Sequence, residues 1–387
     1  MTTRTVAEVF PPGEFLREEL EARGWTQGDL AEILGRPLAR INEIICGKRA
    51  ITPETAKGLS EALGTSADLW LNLENVYQLS KVRKADNTVE RRAKLYALAP
   101  VREMVKRHWI EHSDNIDVLE ARICEFFHID SIDEEPRFWP FAARTSLPGP
   151  TPTPAQLAWL FRARQLAHNA PVKNRFTDRR FSECLMSLRS ILHSPEETRK
   201  VPVILANAGI RLVIMEPLSH TRIDGATCWI DSSSPVVVLS IRYDRIDGFW
   251  HTLMHELFHV KARHGLVNFG PIDIDLIGDI IPPPADRSNI EKFVDKQATE
   301  YLIQTNELND FIARVRPLYS TNRIIGFANI RGVHPGIVVG QLQYRKEIPY
   351  THSRKLLVKV RDIITQTTLT DGWGNISAAT RDRRELA

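Results

Sequence analysis

The chain contains 387 residues with a formal net charge of +3, and 43% of its residues are hydrophobic while 26% are charged. This length exceeds what one ordinary hydrophobic core accommodates, and the composition is that of a globular protein, so we expect about two or three domains. The absence of a run of about 18 apolar residues argues against a membrane-spanning helix, and the small net charge means that any surface for nucleic acid must be local.

The spacing of the cysteines and the sequence of the N-terminal residues both predict a cytoplasmic protein. The four cysteines lack C-x-x-C spacing and are Cys46, Cys124, Cys184 and Cys228. Cysteines scattered in this way predict neither a disulfide framework nor a cysteine-ligated metal site. Residues 1–4 also lack the apolar core of a signal peptide.

Short amphipathic helices are predicted for residues 10–80. Gly24 and Gly35 end the first two helices, Thr26 suits the N-cap of the second, and the third begins near Pro37. Two helices joined by a short turn containing glycine are typical of a helix-turn-helix, in which the second helix enters the major groove of DNA. The alternative is a helical bundle with no role in DNA binding, which periodicity alone does not exclude.

The residue pattern of the third helix predicts that one face packs in the core and the other faces DNA. Its core side consists of Ile41, Ile44 and Ile45. The residues predicted to face bases are Leu38, Ala39, Arg40 and Glu43. The residues predicted to contact phosphates are Gln27, Lys48 and Arg49. Phosphate contacts set the register of the protein on DNA, whereas base contacts read the sequence.

Residues 10–80 resemble the HigA-type antitoxin branch of the Xre-family regulators. The stretches that carry the resemblance are 12–20, 26–27, 44–54, 62–66 and 70–73. It implies a five-helix DNA-binding fold, usually dimeric, that binds operator half-sites and would associate with the nucleoid when bound to DNA. Residues 37–39 depart from the polar residues of the family, which predicts weak base readout or an unusual operator.

The middle of the chain carries no recognisable chemistry. Residues 81–150 show a charged helical pattern, and the proline-rich stretch 147–154 predicts a linker or a rigid turn. Pro154 then begins a strong helical pattern. We interpret residues 81–154 as a helical connector.

Three β-rich segments follow, at residues 210–214, 225–230 and 236–241. Together they predict a small mixed or antiparallel sheet. The third segment directly precedes a helix that carries the strongest motif of the chain. If that helix belongs to a peptidase, the strand before it is a candidate edge to which an extended substrate could add. The residues predicted to bind substrate in this way are Val236, Val238 and Ser240.

The motif is His-Glu-Leu-Phe-His at residues 255–259. Residues four apart lie on one face of a helix, so His255 and His259 can direct imidazole nitrogens at one metal ion. Glu256 lies between them, where it could accept a proton from water, as in H-E-x-x-H zinc peptidases. The alternative is a helix that merely contains two histidines. Apolar flanks without Gly or Pro predict a buried helix, and because buried polar groups need partners, they favour a Zn²⁺ site.

A catalytic zinc site needs a third protein ligand and an open position. A helical pattern over residues 289–303 carries Glu291 and Asp295 on one face. We predict that Glu291 is the third ligand and that Asp295 accepts the free N–H of a ligating histidine. The alternative interpretation treats both as solvated carboxylates.

Three further histidines are weaker candidates. His251 lies one turn before His255 and either lines the pocket or belongs to the core. His264 follows the motif helix, where a histidine suits the C-terminal end of the helix dipole. His334, within Val-His-Pro-Gly, is a candidate for stabilising an oxyanion.

Residues 155–345 resemble the ImmA/IrrE family of zinc metallopeptidases. The matching stretches are 223–226, 242–244, 249–259, 291–303 and 334–340. The resemblance implies that His255, His259 and Glu291 bind zinc and that Glu256 is the general base. Family members cleave a repressor or antitoxin and thereby switch on a stress or mobile-element response. Phe258 stands where the family usually has Gly, which could tighten the pocket.

The sequence therefore predicts a mostly helical α+β protein in four parts. They are a helix-turn-helix domain (1–80), a connector (81–154), a zincin-like peptidase domain with a small sheet (155–310) and a C-terminal extension (311–387). The predicted function is that of a homodimeric DNA-binding regulator. Its zinc endopeptidase, gluzincin-like in its ligands, would cleave a repressor, an antitoxin, a toxin partner or the chain itself.

Two alternatives remain open at this point. The first is a HigA-like repressor whose zinc domain is a sensor or partner-binding module without protease activity. The second is an interaction protein that binds a toxin and neither DNA nor metal.

Overall fold

The computed structural model describes residues 9–81, 87–136, 152–170, 172–266, 272–274 and 289–374. Within these residues the protein is mostly helical and contains one small mixed sheet, as the sequence predicts. None of the described helices is long and apolar enough to cross a membrane. Part of the predicted linker (147–151) and the end of the predicted extension (375–387) lie outside the described residues. The chain divides into two compact units, Met1–Glu90 and Arg91–Ala387.

Residues 9–81 of the first unit form five helices. They are α1 (Pro12–Arg23), α2 (Gln27–Ile33), α3 (Leu38–Ile45), α4 (Pro53–Leu63) and α5 (Ala67–Lys81). Local chemistry sets their ends: the Asp29 backbone N–H donates to Thr26 Oγ1 at 3.2 Å, and the Thr26 N–H donates to the Asp29 carboxylate at 2.7 Å. This capping box satisfies donors that the first turn of α2 leaves free. Gly24 ends α1 with a φ of 67°, a conformation that favours glycine.

The core of the first unit takes side chains from all five helices. Its largest buried side chains are Leu16, Leu20, Leu30, Ile41, Ile44, Ile45, Ile51, Leu59, Leu63 and Trp70. The three predicted core isoleucines of α3 are among them. Gly13 permits close packing of α1 on α3, because a Cβ at this position would overlap the Ile45 carbonyl oxygen.

The second unit surrounds a sheet with helices that share one hydrophobic core. Its helices are α6 (Thr88–Leu98), which crosses the boundary between the units, α7 (Val101–Lys106), α8 (Ile116–Phe127), α9 (Pro154–His168), α10 (Asp178–Ile191), α11 (Val201–Asn207), α12 (Ile246–Lys261), α13 (Asn289–Leu302), α14 (Thr305–Val315), α15 (Thr321–Arg331), α16 (Pro335–Tyr344) and α17 (Arg361–Ile364). One cluster of buried residues extends from Leu95 to Ile364. The predicted boundaries at 154 and 310 therefore mark no break in this core.

The sheet has the strand order β4-β2-β3-β1-β5. The strands are β1 (Arg211–Ile214), β2 (Ile223–Trp229), β3 (Pro235–Leu239), β4 (Ile272–Ile274) and β5 (Leu369–Thr370). β3 is antiparallel to β2 and parallel to β1, and β2 is antiparallel to β4. A short turn joins β2 and β3 into an antiparallel hairpin. The sheet is mixed because β1 pairs with β3 in parallel.

The predicted substrate edge at Val236, Val238 and Ser240 is wrong. Val236 is paired with Arg211 of β1 on one side and with Cys228 of β2 on the other. The Ser240 N–H, just beyond β3, donates to the Asp224 carbonyl oxygen at 2.9 Å. Because both sides of β3 are paired, an extended peptide has no free edge there. The uninterrupted apolar run of β3 is typical of a buried inner strand.

Candidate metal centre and helix-turn-helix unit

α12 presents the two motif histidines inside the protein. The helix is buried along almost its whole length, and His255, Glu256 and His259 are fully buried. Since the histidines are four residues apart, their rings lie on the same face, with centroids 4.8 Å apart. Burying three polar side chains in this way requires partners for each of them.

α13 packs against α12 and brings Glu291 to the histidines. Glu291 Oε2 lies 3.1 Å from His255 Nε2 and 3.5 Å from His259 Nε2, and the two Nε2 atoms are 3.0 Å apart. All three candidate ligand atoms thus lie within 4.8 Å of one another. The structure therefore brings together the three residues that the sequence predicts as metal ligands.

The chemistry of this donor set suits a cation. Asp295 Oδ1 lies 2.9 Å from His255 Nδ1, so the carboxylate accepts that N–H and leaves the lone pair of His255 on Nε2. Two imidazole nitrogens and a carboxylate oxygen then converge on one point. Two histidines and one glutamate make up the protein ligands of some catalytic zinc sites.

The charge of Glu291 fits a role as a ligand. Burial acts to raise the pKa of Glu291, but the contacts with the His255 and His259 rings outweigh it and hold the pKa well below its ordinary value. The carboxylate is therefore ionised at neutral pH, which is the form that binds a metal ion.

Strand β2 holds Glu256, the residue predicted as general base. The Thr227 hydroxyl donates to Glu256 Oε2 at 2.6 Å. Two residues earlier, Gly225 faces the same carboxylate, and a Cβ at this position would overlap Glu256 Oε1. Alternate residues of a strand lie on one face, so this face of β2 fixes where the carboxylate sits. Neither Gly225 nor Thr227 was predicted as a site residue.

His264 lies beside the second motif histidine. Its Nδ1 is 2.8 Å from His259 Nδ1, and its carbonyl oxygen accepts the Trp229 indole N–H at 2.8 Å. Burial, and after it the proximity of His259, lowers the pKa of His264 below its ordinary value. The sequence placed His264 at the helix end but did not predict its contact with His259.

The structure places the other two candidate histidines differently from each other. The half-buried His251 lies one turn before His255 on the same face of α12, with ring centroids 6.3 Å apart. His334 is instead the N-cap of α16, where its Nδ1 accepts the Gly336 N–H at 3.0 Å. Gly336 packs against Ile246. Ile246 lies nine residues before His255, which corresponds to about 13 Å along the axis of α12. The predicted oxyanion role of His334 is therefore wrong, because this side chain caps a helix at the far end of α12.

A small pocket lies where β3 meets the start of α12. The residues that line it are Asp224, Leu239, Ser240, Ile241, Arg242, Tyr243, Asp244, Arg245, Gly248, Phe249 and Thr252. A Cβ at Gly225 would overlap both the Thr252 methyl group and the Glu256 carboxylate, so these two side chains are neighbours. One lining residue of the pocket, Thr252, therefore lies beside the Glu256 carboxylate.

In the first unit, α2, a short turn and α3 form the predicted helix-turn-helix. The residues predicted for DNA contact that lie exposed are Leu38, Ala39, Lys48 and Arg49, while Gln27, Arg40 and Glu43 are partly exposed. Two of these residues are paired with each other, since Arg49 Nε donates to Glu43 Oε2 at 2.6 Å. The sequence treated Glu43 and Arg49 as separate contacts and did not predict this ion pair.

Comparison with known proteins gives matches to the first unit. The helix-turn-helix family model HTH_3 matches residues 16–70. The uncharacterized HTH-type transcriptional regulator YddM of Escherichia coli K12 is 32% identical over 73 residues, which is 19% of this chain and 78% of that protein. Virulence-associated protein I of Dichelobacter nodosus is 38% identical over 79 residues, or 20% of this chain and 73% of that protein.

Two solved structures are also similar to a part of the chain. A putative antidote protein of a plasmid maintenance system from Nostoc punctiforme is 37% identical and covers 19% of this chain and 80% of its own, with a TM-score of 0.19. Pseudomonas aeruginosa antitoxin HigA, solved with the higBA promoter, is 31% identical and covers 21% of this chain and 90% of its own, with a TM-score of 0.20. The family match and the two sequence relatives, read with the five helices and their buried isoleucines, show that the chain belongs to the helix-turn-helix family.

Proposed function

We propose that this protein is a homodimeric transcriptional regulator that binds operator DNA through its first unit and hydrolyses a peptide bond through its second. The DNA-binding part is supported by the helix-turn-helix family and by a relative named as a transcriptional regulator. The peptidase part is supported above all by one observation. His255 Nε2, His259 Nε2 and a Glu291 oxygen converge within 4.8 Å, beside the Glu256 carboxylate.

For the DNA-binding part, we propose that α3 enters the major groove. Its inner side is occupied by buried isoleucines, so Arg40 and the first residues of the helix are left for bases. Lys48 follows the helix in an exposed turn, a position that suits a phosphate.

Alanine substitutions at Arg40 and Lys48 are expected to weaken DNA binding in different ways. Arg40→Ala should cost about 1–3 kcal/mol on the operator and little on unrelated DNA. Lys48→Ala should weaken binding to all sequences alike and reduce the slope of log affinity against log salt by about one. Titrations at several salt concentrations measure both. Lys81→Ala, at the end of α5, is the control, and equal losses on every sequence would rule out Arg40 as a base reader.

α5 supports a dimer formed with a second copy of the chain. Its exposed side includes Leu69, Val76 and Leu79, of which Leu79 is 72% exposed. Their spacing of seven and three residues places them along one side of the helix. A symmetric dimer would also match operators built from two half-sites.

Leu79→Asp is expected to shift the protein from dimer to monomer. A carboxylate placed in an apolar contact loses hydration and repels its symmetry-related copy, so we expect dimer dissociation to rise at least about tenfold. Sedimentation of the full chain measures this shift. Asn306→Asp adds the same charge at an exposed position of α14, away from α5, as a control. An unchanged dimer in the Leu79 variant would place the interface elsewhere.

For the peptidase part, we propose that His255, His259 and Glu291 would hold Zn²⁺, with Asp295 fixing the ring of His255. When bound, the ion would act as a Lewis acid that polarises the scissile carbonyl and makes water a better nucleophile. The Glu256 carboxylate would accept the proton of the attacking water and deliver it to the leaving nitrogen. Thr227 and Gly225 would keep that carboxylate in place.

One observation favours a second candidate function, a zinc sensor without protease activity. Glu256 is fully buried and hydrogen-bonded to Thr227, whereas a general base must reach water and substrate. In this case metal binding would change DNA or partner binding rather than start hydrolysis.

A proteome comparison separates the two candidates. Cells carrying the wild-type chain or the Glu256→Gln chain are compared with and without DNA damage or another stress. A peptidase predicts a repressor, an antitoxin, a toxin partner or the chain itself that is shortened only with wild type. Identical protein patterns, together with zinc in the purified protein, would support the sensor. Absence of zinc and of operator binding would support a simple interaction protein instead.

A further inference from the structure

Three successive residues on one face of β2 contact either Glu256 or the segment that follows α12. Gly225 and Thr227 hold the Glu256 carboxylate, as described above. The next residue on the same face, Trp229, is fully buried, and its indole N–H donates to the carbonyl oxygen of His264 at 2.8 Å. The strand therefore holds the general base at one end and the segment after α12 at the other.

We propose that His264 is a positioning residue of the metal centre, which accepts the Nδ1–H of His259 and so directs His259 Nε2 at the ion. The distance between the two Nδ1 atoms is 2.8 Å. Asp295 has the corresponding contact with His255, at 2.9 Å. Each of the two candidate histidine ligands thus has its own partner on the nitrogen that faces away from the ion, one a carboxylate and one an imidazole.

The position of protons determines which way this contact must run. A neutral imidazole carries one N–H, so His259 can offer a lone pair at Nε2 only if its proton is on Nδ1. That proton then points at His264 Nδ1, which must accept it and carry its own proton on Nε2. The opposite arrangement would place the proton of His259 on Nε2, among the ligand atoms. An acceptor at His264 therefore selects the tautomer of His259 that binds a metal.

Hydrogen bonds on both sides of His264 hold its backbone in place. α12 ends at Lys261, and the chain turns back so that the His264 N–H donates to the His259 carbonyl oxygen at 3.0 Å. Arg263 adopts a φ of 58° in this turn, in the left-handed region that only a minority of non-glycine residues occupy. With Trp229 bound to its carbonyl, His264 is fixed from both sides. A half-buried side chain held in this way is suited to orient a ligand.

The test measures metal affinity rather than activity, and it rests on the proposed metal centre. Zinc affinity of the full chain is determined by competition with a chelator for wild type, His264→Leu and His264→Asn. We expect His264→Leu to bind zinc about 10- to 100-fold more weakly, which is the usual effect of losing such a partner. His264→Asn should recover much of the affinity, because its side-chain oxygen lies near the position of Nδ1 and can accept the same proton. The exposed His112→Leu is the control.

Cobalt(II) provides a readout that a purely structural role would not move. We expect the visible absorption of the Co²⁺-loaded protein to change in His264→Leu and to resemble wild type in His264→Asn, while the metal-free proteins melt alike. Equal affinity and equal spectra for wild type and His264→Leu would overturn the inference, and so would equal losses in the Leu and Asn variants. Failure of wild type itself to bind zinc would overturn the metal centre and this inference together.

Discussion

Glu256→Gln is expected to lower peptide hydrolysis by about 10²- to 10⁴-fold while leaving zinc binding intact, because a positioned general base contributes this much to proton transfer. Glutamine keeps the size of the side chain and can still accept the Thr227 hydroxyl, but its amide cannot take a proton from water. The ligand atoms of His255, His259 and Glu291 are unchanged. Turnover of a cleaved protein, once identified, and zinc content per chain measure the two effects.

The stability of the same variant tests the placement of Glu256 independently. A fully buried carboxylate loses hydration on folding, so replacing it with a neutral amide should not lower the melting temperature. Glu183→Gln, at an exposed position of α10, is the matched control for both measurements. Wild-type turnover in the Glu256→Gln protein would exclude Glu256 as the base, whatever the metal content.

Local periodicity explains why the ligand set could be predicted from the sequence. His255 and His259 on α12, and Glu291 and Asp295 on α13, are pairs four residues apart, and such pairs share a face whatever the tertiary structure. Apolar flanks then indicated that both helices are buried. The five helices of the first unit were predictable for a similar reason, since Thr26 and Gly24 fix helix ends through local contacts.

Contacts that depend on chain pairing could not be predicted in the same way. Whether β3 is an edge depends on β1, which pairs with it in parallel from some 25 positions earlier in the sequence. The roles of Gly225 and Thr227 depend on which face of β2 meets α12, which the sequence of the strand does not determine. The ion pair of Glu43 and Arg49 likewise depends on how the chain turns after α3.

His334 is different, because the sequence contained a signal that the prediction overlooked. A polar residue followed by Pro is typical of a helix start, with the proline in the first turn. His334 and Pro335 have this relation at the beginning of α16, where the His334 ring accepts a backbone N–H. The capping pattern therefore predicts the role that His334 has at the start of α16, where Gly336 packs against Ile246 at the far end of α12 from the motif histidines.

Replacing both His255 and His259 with alanine is expected to lower the zinc content from about one ion per chain to none. Two of the three candidate ligands would be lost, and a single carboxylate does not hold zinc at the free concentrations of a buffered solution. Elemental analysis of the purified full chain measures the content. Added zinc should raise the melting temperature of wild type, because an ion that binds only the folded state stabilises it, and should have no effect on the double variant.

Metal-free stability must be measured in parallel, because the substitutions also remove buried contacts. Glu291 and Asp295 both contact the His255 ring, so two partly buried carboxylates would lose their partner and the fold should be destabilised even without metal. His251→Ala, one turn earlier on α12, removes an imidazole that is not a predicted ligand and should retain the zinc. A double variant that still carries about one zinc per chain would show that the ion binds elsewhere, and the peptidase proposal would then lose the observation that supports it most.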